Sequence, residues 1–109
     1  EISADLPKDE NGMYVLEFIR GTTQTFCSLY ASTDCGWSKP LSWDSDLVFY
    51  YAGTHIPIVN RHSMTSDDGS AQTTMGVWSV FIGEIVTIYA GYVDDCEEHH
   101  VDSIRIKII

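Results

Sequence analysis

The run that closes the chain, HVDSIRIKII, alternates with a period of two: Ile104, Ile106 and Ile108 fall on one side, and Ser103, Arg105 and Lys107 on the other. Successive side chains of a strand point to opposite faces, so this pattern describes a strand with one face buried and one in water. Nowhere does the sequence sustain apolar residues at i, i+3, i+4 and i+7 without a β-branched run or a glycine interrupting them. Helix is therefore minor or absent. A chain of 109 residues has the size of one domain. The expectation is a single all-β domain spanning residues 1–109.

The same arguments place the other strands. Asn11-Gly12 is a strong turn signal, and the β-branched and aromatic stretch from Tyr14 to Arg20 follows it. Thr25, Cys27 and Leu29 then alternate with Phe26, Ser28 and Tyr30 as a second strand. Ala31 to Ser45 reads as a loop rich in serine, with Gly36, Pro40, Trp37 and Trp43 in it. Leu47 to Ala52 and Thr54 to Val59 read as strands around Gly53, the second demoted to an edge or bulged strand by Pro57. Asn60 to Ser70 reads as a polar loop, and GVWSVFIG and EIVTIYAGYV as two further strands that turn at Gly83-Glu84. In the last of these, Val86, Ile88 and Ala90 make the better core face and send Thr87, Tyr89 and Gly91 outward. About seven or eight short strands between turn signals suggest an antiparallel β-sandwich of jelly-roll or immunoglobulin-like type.

Charge narrows the partners. Sixteen acidic residues against six basic ones give a net charge of −10, which disfavours nucleic acid, anionic membrane surfaces and polyuronates. Apolar stretches are broken far short of the ~20 residues a membrane helix needs, so a soluble domain is expected. The chain starts at Glu1 without a basic-then-apolar leader, and we read it as a module of a larger multidomain protein. Cys27, Cys35 and Cys96 leave three possible disulfide pairings open.

The aromatics are the first candidates for function. Trp37 and Trp43 flank Pro40 in the serine-rich segment, where exposed indoles would offer flat apolar faces to sugar rings, with Lys39, Ser42 and Asp44 beside them to bond hydroxyls. The alternative is that they fold back and plug the end of the sandwich. Trp78, among Val77, Val80 and Phe81, reads first as a core residue and otherwise as an extension of the platform. Tyr89 beside Gly91 reads first as a cross-strand packing residue and otherwise as a further ligand platform. Asn60, Arg61 and Gln72 supply hydrogen-bonding groups.

Acidic pairs such as Asp67-Asp68 and Asp94-Asp95 fall in turns and read as solvated surface, not as the paired carboxylates of a glycosidase. No nucleophile elbow, Ser/His/Asp pattern or phosphate loop is present, and the reading is not an enzyme. Acidic turns could hold calcium through oxygen ligands. Cys96, His99 and His100 in CEEHH would suit zinc, although no second pair at a matching spacing accompanies them.

Two features, the V-D-x-I-x-I ending within HVDSIRIKII and the Trp37/Trp43 pair, resemble the β-sandwich carbohydrate-binding modules attached to glycan-degrading enzymes. That resemblance implies a non-catalytic, extracellular or cell-surface module of jelly-roll type, an accessory domain of a glycoside hydrolase or cellulosome. It would bind a neutral plant-type polysaccharide of the β-glucan or mannan class and target a linked catalytic domain. It also implies a structural calcium at Asp102, although the N-terminal acidic ligand motif usual in such modules is not evident in this chain. The rival expectations are a structural or adhesive sandwich of a surface or phage protein, and a small metal-binding domain.

Overall fold

The computed structural model describes residues 1–19, 21–33, 40–51, 53–66, 68–93 and 97–109, with residues 49–51 and 55 described by their backbone alone. Among these residues the protein is all-β. The strands are β1 (Ile2–Ala4), β2 (Tyr14–Leu16), β3 (Gln24–Ser32), β4 (Pro40–Ser45), β5 (Val48–Tyr51), β6 (Thr54–Pro57), β7 (His62–Met64), β8 (Ser70–Trp78), β9 (Ile85–Val93) and β10 (His99–Ile108). One 3-10 turn, Ser79–Phe81, separates β8 from β9.

Two sheets face each other. One runs β1-β3-β8, the other β2-β10-β9-β4-β7, and β5 and β6 form a separate hairpin. All pairings between these strands are antiparallel except that of β2 with β10, where Tyr14 lies beside Ile106 in parallel register. The N-terminal segment thus crosses from one sheet to the other. Its crossing is pinned at the Asn11-Gly12 turn, where the Asp9 carboxylate accepts the Asn11 and Met13 N–H groups at 2.9 and 3.0 Å, and Gly12 takes a φ of +80° that suits glycine.

Inward-pointing residues of both sheets share one core. Leu29, Met75 and Val77 come from the three-stranded sheet, and Leu41, Trp43, Val86, Ile88, Ile106 and Ile108 from the five-stranded one. Val86, Ile88 and Ala90 are buried as the alternation of β9 requires, and so are Ile106 and Ile108 of β10, with Ile104 partly buried against them.

The serine-rich segment holds a correction. Residues 34–39 are outside the described residues, but Pro40 to Ser45 is strand β4, not loop, with Leu41, Trp43 and Ser45 inward and Pro40, Ser42 and Asp44 outward. Composition misleads here because Ser and Asp occupy the solvent face, where β propensity counts for little against pairing and burial. Similarly, β7 lies in the expected Asn60 to Ser70 loop, where it pairs with β4. Between β7 and β8 a tight turn is held by Asp68, whose carboxylate accepts the Ser66 and Ser70 hydroxyls, each at 2.6 Å, and the Ser70 N–H at 3.0 Å. These bonds stabilise the charged form and hold Asp68 down to about 2.

Cys27 is a free thiol on the inward side of β3, packed against the core. Two of the three conceivable disulfides are therefore not formed; Cys35 and Cys96 lie outside the described residues. Burial pushes the Cys27 thiol up to about 12, with the Asp5 charge adding to it. Because the thiolate is the reactive species, alkylation of Cys27 by iodoacetamide at pH 8 is expected to be about a thousandfold slower in the native chain than in denaturant. Peptide mapping reads this directly, and equal rates in the two states would contradict the burial.

Candidate functional site

The register of β3 with β8 sets Gln24 opposite Trp78, Phe26 opposite Gly76, Ser28 opposite Thr74 and Tyr30 opposite Gln72. Their chain neighbours Leu29, Ala31, Ala71, Thr73, Met75 and Val77 are buried, so these eight residues occupy the outer face of the sheet. Beside that face stands a wall. After β6 the chain runs along the free edge of β8: Val59 bridges to Met75, the Gly76 N–H donates to the Ile58 carbonyl at 2.8 Å, and the Asn60 N–H donates to the Thr74 carbonyl at 3.1 Å. The wall is tied to β4 by Ser45, whose hydroxyl donates to the Leu47 carbonyl at 2.6 Å and accepts the Ile58 N–H at 3.1 Å.

Face and wall together make an open groove of about 480 Å³. Phe26, Gly76 and Trp78 form its apolar floor, Ile56 its side, and Gln24, Asn60 and Arg61 its polar fringe. Phe26 is 62% exposed and Trp78 39%. A Cβ built on Gly76 would lie 3.0 Å from Phe26 Cε1 and 3.4 Å from Gln24 Nε2, so both side chains lean over the gap in the side-chain layer that this glycine leaves. The phenyl ring thereby covers bare backbone. Chemically, the groove offers two exposed aromatic surfaces, two carboxamides that donate and accept hydrogen bonds, and one guanidinium.

A substitution tests how far that ring position matters. Gly76→Ala puts a methyl group against a side chain that is free to swing outward, so stability is expected to hold or to rise by about 0.5 kcal/mol. The phenyl ring is displaced, and affinity for any ligand that uses it falls. Thermal melting and ligand titration of the one variant separate the two effects; unchanged affinity would remove Phe26 from the site.

Against these positions the sequence-nominated residues divide. Trp78 does not join the core as first expected, because Val77 takes the inward phase at the end of β8 and sends Trp78 outward. Asn60 and Arg61 line the same groove as Trp78, and Gln72 lies further along the same sheet face, its amide donating to the Ser28 hydroxyl at 3.4 Å. Tyr89 is half exposed, but it belongs to the outer face of the other sheet, between Asp44 and Ser103, and does not extend the Trp78 surface.

Trp43 is corrected outright: it is 2% exposed in the core, with its indole N–H donating to the Ser63 hydroxyl at 2.8 Å. No ligand can stack on it. Trp37 lies outside the described residues. Phe26 and Gln24, nominated by no motif, complete the groove. The signal for Phe26 was its outward phase in β3, which gains meaning only once the register places it over Gly76.

The metal candidates fare differently. One oxygen of Asp102 accepts the Ile2 N–H at 3.1 Å and the other the Ser103 N–H at 2.8 Å. Among the described residues no group of three or more His, Cys, Asp or Glu converges, at Asp102 or elsewhere. His99 and His100 occupy successive strand positions and point to opposite faces. His100 stacks on Tyr92 with ring centroids 4.8 Å apart, and Cys96 is outside the described residues. Strand geometry thereby turns His99 and His100 to different faces, and the Cys96–His99 spacing that would suit zinc lies outside the described residues at Cys96. Comparison with known proteins adds no assignment: no family model matches the chain, and neither does any curated protein or solved structure.

Proposed function

We propose that this chain is a non-catalytic carbohydrate-binding domain that takes an uncharged polysaccharide, of the β-glucan or mannan class, into the groove over β3 and β8. One observation carries the reading: two large aromatic side chains, Phe26 and Trp78, are exposed on the floor of a groove that amide side chains also line. Exposed aromatic surface flanked by orienting polar groups suits the apolar C–H face of a sugar ring and its hydroxyl edge. Few anchors and an open groove imply affinity of about micromolar or weaker. The role we assign is to hold a linked catalytic domain near its glycan outside the cell. Of the two sandwich types, the crossing of the N-terminal segment from β1 in one sheet to β2 beside β10 in the other favours the immunoglobulin-like arrangement.

Native affinity electrophoresis against soluble glucans, mannans, xylans and pectins tests this. Retardation by a neutral glucan or mannan supports the proposal, and free migration with every glycan overturns it.

A structural or adhesive domain is the second reading. It is favoured by Ile19, Val80, Ile82 and Ile109, which are exposed. They gather at one end of the sandwich, where the Phe18 N–H donates to the Ile109 carbonyl and the Gly83 N–H to the Ile108 carbonyl. Apolar surface of that kind suits contact with another protein.

A further inference from the structure

The charge of the groove departs from that of the molecule. The chain carries sixteen acidic residues, yet the described residues lining the groove include no Asp or Glu, and Arg61 is their one charged side chain. Arg61 is exposed, and among the described residues its guanidinium makes no salt bridge. Its backbone is fixed at the rim, since the Arg61 carbonyl accepts the Trp43 N–H at 2.8 Å. On its far side Arg61 borders Asp44 and His62, and among the described residues no salt bridge joins it to Asp44. Among the described residues, one planar, five-donor cation thus stands without a salt bridge at the mouth of a groove that they line without an Asp or Glu. A guanidinium in that setting matches a carboxylate in two parallel hydrogen bonds, which an amide or hydroxyl fringe does not.

We infer that the ligand is a largely uncharged sugar chain bearing an isolated carboxylate, as on a single uronic acid substituent, with its neutral rings over Phe26 and Trp78 and the carboxylate at Arg61. This rests on the carbohydrate-binding reading of the groove and amends its ligand from a wholly uncharged chain to one with a single charge. A polyanionic chain is disfavoured by the net charge of −10. One carboxylate is not, because interactions with surface charges beyond about 8 Å are largely screened at physiological salt.

The experiment uses the 109-residue chain and two oligosaccharides of the same neutral backbone, one unsubstituted and one carrying a single uronic acid. Calorimetric titration of the native protein is expected to show the acid-bearing sugar binding about fivefold or more tightly at low salt, an advantage that shrinks as salt is added. In Arg61→Gln the two sugars bind alike, and Arg61→Lys restores part of the difference. Equal affinities in the native protein, or an advantage that survives Arg61→Gln, would overturn the inference while leaving neutral binding in the groove intact. Failure of both sugars, together with free migration on the whole glycan panel, would overturn the parent reading as well. Replacing the uronic acid with a sulfate ester identifies the anion: equal gains from the two would overturn the carboxylate assignment.

Discussion

Trp43→Ala is expected to destabilise the fold by about 3–5 kcal/mol, the range for truncating a buried Trp or Phe. The indole is 2% exposed and faces Ala90 across the β4–β9 pair, where the small side chain leaves room for the ring. Removing it leaves a cavity at the centre of the core. Removal also breaks the 2.8 Å bond to Ser63, which ties β4 to the short strand β7 through side chains as well as backbone. Trp43→Phe, which keeps most of the volume and loses the indole N–H, is expected to cost about 1–2 kcal/mol, mostly from the unmet hydrogen bond. Urea unfolding measures both. A loss below 1 kcal/mol for Trp43→Ala would contradict its place in the core and return it to consideration as a ligand surface.

Trp78→Ala has the opposite signature. This residue ends β8 with its ring outward and 39% exposed, so its loss is expected to shift melting by only a few degrees. Its cost falls on binding. Loss of a central aromatic anchor is expected to remove about 2 kcal/mol of affinity, roughly thirtyfold, from whichever glycan the native chain retains. Phe26→Ala should act in the same direction, because its ring covers Gly76 on the same floor. An affinity within twofold of the native value in both variants would remove the groove from the binding account. A large melting shift in Trp78→Ala would mean that the indole packs into the fold.

The contrast between these two tryptophans shows how far the sequence could be read. In β9 and in the second half of β10 the alternation of Val86, Ile88 and Ala90, and of Ile104, Ile106 and Ile108, with their neighbours carried both strand and buried face; in β3 the period of two gave the strand. β4 was harder. Leu41 and Trp43 do alternate with Ser42 and Asp44, but proline, serine and aspartate signal a loop by composition, and only pairing with β9 and β7 makes a strand of them. The three-residue strands β1 and β7 exist through tertiary pairing, with too few residues to carry a period of their own.

For the site, Trp78, Asn60 and Arg61 were identifiable as exposed or polar candidates. Their meeting with Phe26 and Gln24 depends on the β3–β8 register and on the path of residues 57–60 along the edge of β8. Neither is a local property of the sequence. The apolar neighbours Val77, Val80 and Phe81 drew the first reading of Trp78 toward the core, but the inward phase of β8 passes through Val77 and the strand ends at Trp78.

The most direct test is a titration of the isotopically labelled chain with a glycan that retards it in native electrophoresis, followed by the indole N–H resonances and side-chain amides. Shifts of the Trp78 indole and the Gln24 and Asn60 amides, with the Trp43 indole unmoved, are the predicted result. An unmoved Trp78 indole accompanied by shifts at Tyr89 and His62, on the outer face of the other sheet, would contradict it.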